Sequence, residues 1–298
     1  MQVVSKLCLV GWTYRHWPMR RLFEVAADHG CAAVEVRPCA DTDLTTLPGI
    51  IEALPRAAAL ASQHNVRLAS VYLHQYVVTH AGAVRERNPS FFNPDVLGRL
   101  ADLGTDVIQL IIERVRPDGS HVLSSHEAEE SDFAACREGL EILAENLDRY
   151  HLKAAIEVRP QCIADTFEGA LWTSGHLDHD SVGMSIDFAN LLLTDPLLNL
   201  TEAIRTMRSR MVYCHFKNLK FYPWGHDWDL GLRAGSIDYF EVLAAMRQTG
   251  YEGWIGLEYC GSGDPDAFIA DDINYLRWLE QRLNRADRWQ PSWSDYLG

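Results

Sequence analysis

Four short apolar segments in the second half of the chain each carry, near the downstream end, a residue able to bind a metal ion. The segments are 152–158, 182–188, 211–216 and 254–259, and the residues are Glu157, Asp187, His215 and Glu258. Each segment is typical of a buried β-strand, and the stretch before the next one is long enough for a helix. Parallel strands joined by helices place their carboxyl ends on one face, so the pattern predicts that these four side chains converge.

The alternation of strand and helix runs through the whole chain. Earlier strands are predicted at 7–11, 32–36, 67–73 and 107–112. Helices are predicted at about 19–29, 47–65, 94–103, 127–150, 166–176, 196–208, 236–249 and 265–285. Eight such units predict an α/β fold of the (β/α)8 type, a TIM barrel. A doubly wound open sheet competes, but no glycine-rich turn follows the first strand, where a dinucleotide-binding form would place it.

Chain length agrees with one barrel. A chain of 298 residues with 47% hydrophobic content can bury a sizeable core, and barrels of this size commonly form one domain. No linker or low-complexity segment divides the chain. We therefore expect a single domain over residues 1–298, with residues 286–298 as a C-terminal tail that covers a barrel surface or a neighbouring subunit.

Charge and cysteine content exclude several classes of function. A formal net charge of −14 works against nucleic-acid binding, which depends on lysine and arginine at the phosphates. Seven cysteines without a Cys-x-x-Cys pair do not form a disulfide framework. The first residues lack a charged start followed by an apolar stretch, and no run of eighteen apolar residues occurs. We expect a cytoplasmic protein that binds neither membrane nor nucleic acid.

The four strand-end residues suit a particular kind of metal ion. Two glutamates, one aspartate and one neutral histidine form an oxygen-rich set with one nitrogen. Such a set suits Mn²⁺, Mg²⁺, Co²⁺ or Zn²⁺ and does not suit soft metals. A single polar residue at a strand end usually satisfies a loop, whereas four on consecutive units favour a binding site.

Short motifs in the chain resemble the sugar phosphate isomerase/epimerase superfamily, the xylose-isomerase-like barrels. These motifs are GWTY at 11–14, HGCAAVEVR at 29–37, AAIEVRP at 154–160, SIDFAN at 185–190, HFKN at 215–218, AGSIDYFEVL at 234–243 and GYEGWIGLEY at 250–259. Each is weak alone, but their order and spacing extend the resemblance over nearly the whole chain. The resemblance implies that Glu157, Asp187, His215 and Glu258 together bind one divalent metal, for which Mn²⁺ is the first expectation.

Such an ion would let two glutamates act as acid and base. An ion held by three carboxylates and an imidazole retains Lewis acidity and can grip two neighbouring oxygens of a sugar, which favours an enediolate. Carboxylates on opposite faces of the substrate then remove and return the carbon-bound proton. Glu157 and Glu258 are the candidates for these catalytic roles. The alternative is that both glutamates only hold the ion.

Further side chains are expected to face the same pocket and bind substrate. They are Lys217, Asn190, His74, Glu113, Trp12 and Arg159. Lys217 lies two positions after His215 on the same strand face and is suited to stabilising an oxyanion or binding phosphate. Asn190 stands where several ketose epimerases have histidine, so no particular sugar follows from the resemblance. Arg159 and Arg37, each beyond a strand end, are expected to pair with glutamates or to bind an anionic substrate.

The sequence favours a divalent-metal-dependent sugar or sugar-phosphate isomerase/epimerase. A metal-dependent lyase of the same superfamily, either a dehydratase or an enzyme that cleaves C-glycosides, would use the same ligands and remains the alternative. A non-catalytic sugar-binding barrel and a hydrolase resembling AP endonucleases are less favoured. The expected partner is a small sugar, neutral rather than phosphorylated because the chain is acidic, and a homo-oligomer is possible.

Overall fold

The computed structural model describes residues 3–78, 83–175 and 177–286, and the side chains of these residues except 74–78 and 286. Eight strands form a barrel: β1 (Leu7–Val10), β2 (Ala33–Val36), β3 (Arg67–Val78), β4 (Val107–Val115), β6 (Lys153–Glu157), β7 (Val182–Asp187), β8 (Met211–Phe216) and β11 (Trp254–Leu257). Each pairs in parallel with its neighbours in this order, and β11 pairs with β1, which closes the barrel. The predicted fold is therefore confirmed.

Short strands lie outside the barrel. β5 (His121–Val122) pairs with the end of β4, and β9 (Lys220–Tyr222) forms a hairpin with β10 (Gly225–Asp227). The helices are α1 (Met19–His29), α2 (Leu47–His64), α3 (Val84–Arg87), α4 (Pro94–Asp102), α5 (Glu130–Asp148), α6 (Phe167–Ser174), α7 (Phe188–Thr194), α8 (Leu200–Met207), α9 (Tyr239–Gln248) and α10 (Pro265–Ala286). No helix within the described ranges combines the length and apolar character that crossing a membrane requires.

Local sequence explains where several helices begin and end. α1 ends at Gly30, whose φ of 70° is the left-handed cap that glycine adopts without steric cost. Thr46 accepts a hydrogen bond from the backbone N–H of Gly49 and caps α2, as β-hydroxyl residues do at helix starts. Asp187 caps α7 in the same way, directly after β7. α7 is absent from the sequence prediction, which placed one helix at 196–208.

Two strands are longer than predicted. β3 continues to Val78 rather than ending at 73, and β4 continues to Val115 rather than ending at 112. The two strands pair over this extension, where Val77 lies opposite Ile112. Residues expected in loops past the strands, His74 and Glu113, therefore lie within strands.

The core has two parts, because neighbouring residues of a strand point to opposite faces. The larger cluster packs outward-facing strand residues such as Val34 and Ile156 against the helices. The smaller cluster fills the barrel and consists of Cys8, Ala33, Ala69, Val107, Ala155, Tyr213 and Trp254. Two positions after Ala33, Ala155 and Tyr213 lie Glu35, Glu157 and His215, which point to the same inward face.

Candidate metal and substrate site

The site occupies the inward-facing positions directly above the interior cluster. Ala155 and Tyr213 belong to that cluster, and Glu157 and His215 follow them by two positions, so they share the inward face. Asp187 ends β7, and Glu258 follows the last residue of β11. All four predicted metal ligands are buried, with at most 4% of their surface exposed.

Three of the predicted ligands converge closely enough to hold one ion. Glu157, Asp187 and His215 each offer an atom within 4.8 Å of the others'. His215 Nδ1 lies 3.7 Å from Glu157 Oε1 and 4.0 Å from Asp187 Oδ2. One nitrogen and two carboxylates at this separation match the donor set that divalent Mn, Zn and Co accept.

Two buried ligand atoms, Glu157 Oε2 and His215 Nδ1, have no hydrogen-bond partner among the described residues. The site-facing oxygens of Asp187 and Glu258 lie 2.8 and 3.1 Å from the Lys217 ammonium. Buried polar atoms are nearly always hydrogen-bonded, and each exception calls for a bound species or a functional reason. The two carboxylate oxygens of Asp187 have different surroundings. Oδ1 accepts hydrogen bonds from the backbone N–H groups of Ala189 and Asn190, whereas Oδ2 faces the site. The residues therefore fit a divalent cation.

Glu35 fixes which histidine nitrogen faces the site. Its Oε2 lies 3.1 Å from His215 Nε2, and both side chains are fully buried. A carboxylate at Nε2 holds the proton there, so Nδ1 presents its lone pair toward Glu157 and Asp187. The sequence analysis did not identify Glu35 as a site residue, although a glutamate between Val34 and Val36 in an apolar strand is a visible signal.

Gly256 makes room for this histidine. A Cβ at this position would lie 2.9 Å from His215 Cδ2 and 2.8 Å from the Tyr213 hydroxyl oxygen. Real Cβ contacts do not occur at these distances, so the imidazole would have to shift.

Two buried cations lie among the carboxylates. Arg37 pairs with Glu35, and its guanidinium nitrogens lie 3.6 Å from Glu157 and 3.9 Å from Glu258. Lys217 Nζ lies 2.8 Å from Asp187 Oδ2 and 3.1 Å from Glu258 Oε2. Glu258 therefore pairs with Lys217 and is not part of the cluster of Glu157, Asp187 and His215. Four carboxylates and two cations leave an excess of two negative charges when His215 is neutral.

Burial and the neighbouring charges shift the pKa values of the site residues. Burial raises the pKa of Glu258, but Lys217 and Arg37 outweigh it and bring that pKa down to about 2. Burial lowers the pKa of His215, and the nearby carboxylates, Glu35 first, reverse this and raise it. Burial raises the pKa of Asp187 in spite of Lys217. The carboxylates that favour a proton on His215 favour a metal cation for the same electrostatic reason.

A cavity of about 430 Å³ opens onto the site, a size typical of small-molecule pockets. It is lined by Trp12, Arg37, Pro38, Tyr72, Glu157, Arg159, Pro160, Gln161, Asn190, Lys217 and Glu258. The two glutamates that were assigned proton transfer line the cavity, whereas Asp187 and His215 do not. Trp12 is 40% exposed and forms part of the outer wall.

Some of the predicted substrate-binding residues line the cavity and others do not. Lys217, Asn190, Trp12 and Arg159 line the cavity, and their binding of substrate stays a prediction. Glu113 does not: it lies inside β4, and its carboxylate is 3.1 Å from His121 Nδ1 in the β4–β5 hairpin. The prediction for Glu113 therefore needs correction, because the strand runs past the position where it was expected to end. His74 belongs to β3, and its side chain lies outside the described residues, as does the predicted tail beyond Ala286.

Four further cavity residues were not identified from the sequence: Pro38, Tyr72, Pro160 and Gln161. Tyr72 lies under the Arg37 guanidinium, 4.2 Å from ring centroid to Cζ. Gln161 adopts a left-handed backbone with φ of 67°, which non-glycine residues rarely do and which often marks functional loops. A tyrosine in a strand and a glutamine after a proline give no sequence signal of their own.

Comparisons with known proteins agree with this geometry. A family model described as xylose isomerase-like TIM barrel matches residues 23–279. A comparison with curated proteins gave no match. Solved structures that resemble the chain include D-psicose 3-epimerase from Clostridium cellulolyticum H10 with D-tagatose, at 16% identity over 92% of this chain and 99% of that one, with a TM-score of 0.70.

Two other solved structures broaden the range of relatives. The probable 3-DHS dehydratase AsbF of Bacillus anthracis is 16% identical over 91% of this chain and 98% of its own, with a TM-score of 0.66. The IolI protein with a bound zinc atom is 16% identical over 96% of this chain and 100% of its own, with a TM-score of 0.68. At these identities the likeness shows a shared fold.

Proposed function

The chain belongs to the xylose isomerase-like TIM barrel family, and from this premise we propose that it is a divalent-metal-dependent isomerase or epimerase of a sugar. The observation that supports the proposal most is the buried cluster of ligand atoms on Glu157, Asp187 and His215, which lie within 4.8 Å of one another at a cavity of about 430 Å³. An ion there would satisfy atoms that are otherwise costly to bury.

The proposed roles of the residues, metal binding and proton transfer, follow from their positions relative to the cavity. Asp187 and His215 do not line the cavity, and they would hold the ion together with Glu157. A bound divalent ion would supply Lewis acidity toward neighbouring oxygens of a sugar, which lowers the cost of forming an enediolate. Glu157 and Glu258 line the cavity and carry the proton-transfer roles, one removing the carbon-bound proton and the other returning it.

Lys217 supports Glu258 in this role. Its ammonium holds Glu258 in the charged form that a base requires, and burial strengthens this interaction. The same ammonium lines the cavity, where it stabilises negative charge that develops on a substrate oxygen. Asn190 is anchored by a hydrogen bond from its Nδ2 to the carbonyl oxygen of Val158, so its amide has a fixed orientation at the cavity wall.

The resembling structures span more than one reaction. One is named as a 3-epimerase of a ketose and another as a probable dehydratase. Both activities begin by removing a proton next to a carbonyl, so a lyase remains the second candidate function. One relative carries zinc, whereas the ligand chemistry of this chain accepts Mn²⁺, which we propose as the ion, as well as Zn²⁺, Co²⁺ or Mg²⁺.

Metal content provides the first test. Asp187→Ala and His215→Ala are expected to lower bound metal by roughly tenfold or more, because each removes a ligand atom. Elemental analysis of the purified variants measures this directly. Glu113→Ala is the matched control, since Glu113 lies in the same barrel but pairs with His121. Unchanged metal in both site variants would overturn the assignment of the site.

Solvent exchange provides the second test. Incubation of the metal-loaded protein in D2O with ketoses, inososes and glycosides is expected to place deuterium at the carbon next to the carbonyl of the true substrate. Recovery of an epimer or isomer supports the proposed function, and release of water or an aglycone supports the lyase. Absence of exchange with every member of the panel, while sugar binding persists, would favour a non-catalytic binding protein.

A further inference from the structure

The cavity wall carries more positive than negative side chains. Arg37, Arg159 and Lys217 line it, and the acidic lining residues are Glu157 and Glu258. This is unexpected in a chain whose formal net charge is −14. Three of the five charged residues that line the cavity are therefore cationic, in a chain that is acidic as a whole.

The deep part of the cavity is internally compensated. Arg37 contacts the carboxylates of Glu35, Glu157 and Glu258 and is 6% exposed. Lys217 lies between Asp187 and Glu258 and is 9% exposed. These two cations serve the acidic cluster, and any substrate atoms that reach them lie next to the metal ligands.

Arg159 occupies the outer part of the cavity. It lies two positions after Glu157, the last residue of β6, and is partly exposed, unlike Arg37 and Lys217. Its side chain is within hydrogen-bonding range of the Tyr72 hydroxyl, and its Nε lies 3.4 Å from the carbonyl oxygen of Pro160. Arg159 and the exposed Gln161 both line the cavity.

The net charge of the site with a divalent ion bound indicates the charge of the ligand that it favours. Glu35, Glu157, Asp187 and Glu258 carry four negative charges, and Arg37, Lys217 and Arg159 carry three positive ones. One divalent ion changes the sum to a single net positive charge when His215 is a neutral ligand. A partly buried cavity with a net charge favours a ligand of opposite charge, because few waters are present to screen it.

We propose that the substrate carries an anionic group, a carboxylate or a phosphate, which Arg159 binds in the outer part of the cavity while the reacting hydroxyl and carbonyl face the glutamates. The inference rests on the proposed function, since the charge balance includes the ion. A planar guanidinium is suited to both anions through paired hydrogen bonds. This substrate class differs from the neutral sugar that overall charge suggested, because neighbouring charges act at shorter range than the net charge of the chain.

Binding of three matched ligands tests the proposal. A ketose, the same ketose with a terminal carboxylate and the same ketose with a terminal phosphate are titrated into the Mn²⁺-loaded protein by calorimetry. We expect the better anionic ligand to bind the native protein at least about tenfold more tightly than the neutral ketose, on the scale of charge-assisted hydrogen bonds. The two anionic ligands distinguish a sugar acid from a sugar phosphate.

Variants at Arg159 connect this preference to one side chain. Arg159→Gln is expected to reduce the anionic preference to less than about threefold, and Arg159→Lys to retain part of it because the charge remains. Arg67→Gln is the matched control, since Arg67 is exposed at the first position of β3, the opposite end of the barrel, and should leave the preference unchanged. Circular dichroism and metal content of each variant confirm that the fold and the ion are retained.

The possible outcomes separate the inference from the proposed function. Equal binding of neutral and anionic ketoses to the native protein, an unchanged preference in Arg159→Gln, or no binding of any ligand would overturn the inference. Deuterium exchange on a neutral sugar without an anionic preference would leave the proposed function standing alone. Anionic preference through Arg159 without any exchange or product would support the inference and contradict the proposed function.

Discussion

Two buried charged clusters in this barrel are built in opposite ways. At the end of β4, Asp132 receives hydrogen bonds from Arg114 Nε at 2.9 Å, from Arg116 Nη2 at 2.7 Å and from the backbone N–H of Glu129 at 3.1 Å. Both of its carboxylate oxygens therefore accept hydrogen bonds, and one acid faces two arginines. Asp132 also completes a capping box with Glu129 at the start of α5.

The cluster at the mouth of the barrel shows the reverse arrangement. Acids outnumber cations there, and Glu157 Oε2 and His215 Nδ1 have no hydrogen-bond partner among the described residues. The Asp132 cluster needs nothing further to be stable, whereas the site cluster is left incomplete by the protein alone. Burial of charge by itself thus does not indicate function; unsatisfied atoms and an excess of one sign do.

The largest expected effect is on stability, at the satisfied cluster. Asp132→Asn should lower the free energy of unfolding by about 3 kcal/mol, because it leaves the buried Arg114 and the partly exposed Arg116 without their shared carboxylate. Chemical denaturation measures this change. Metal content should stay native, and a loss of metal in this variant would show that the two clusters are coupled.

The next largest effect is on turnover, at the incomplete cluster. Glu258→Gln should reduce turnover by roughly 10² or more, because an amide retains the shape of the side chain but does not accept a proton. Part of the metal should remain bound, as measured by elemental analysis alongside steady-state kinetics. Native turnover with metal in place would reduce Glu258 to a structural role.

A smaller effect is expected at the residue that orients the histidine. Glu35→Gln should weaken Mn²⁺ binding by about tenfold, since Nε2 of His215 loses its carboxylate and the ring orientation is less well fixed. A Mn²⁺ titration followed by calorimetry measures this change, and Glu35→Asp shows how far a shorter carboxylate compensates. Native affinity in both variants would contradict the positioning role.

The smallest effect is on how much stability the fold loses at acid pH. Burial raises the pKa of Asp132, but hydrogen bonds from Arg116, Glu129 and Arg114 outweigh it and hold that pKa below its ordinary 3.8. A lowered folded pKa contributes stability that is complete above the unfolded pKa and is lost as pH falls through the folded one. Between about pH 5 and pH 3, Asp132→Asn should therefore lose less stability than the native protein. Thermal melts over this pH range measure the change, and an equal loss of stability in the variant and the native protein would contradict this prediction.

Much of the fold follows from local sequence. The predicted α1 agrees with the observed helix because Gly30 ends it, and the predicted seventh strand agrees with Met211–Phe216. The errors lie where distant pairing decides an element's length. β3 and β4 extend each other by pairing, which the apolar pattern of either strand alone does not show. α7 was missed because its start depends on the Asp187 cap directly after a strand.

The sequence by itself determined the barrel and placed Glu157, Asp187, His215 and Glu258 at strand ends on one face, because the two-residue period of strands and the order of strand and helix are local properties of the chain. Only the tertiary structure decided how these residues are paired. It placed Glu35 against His215, Lys217 between Asp187 and Glu258, and Glu113 away from the cavity. Such pairings depend on distances between side chains on different strands, and these distances are fixed only when the barrel closes.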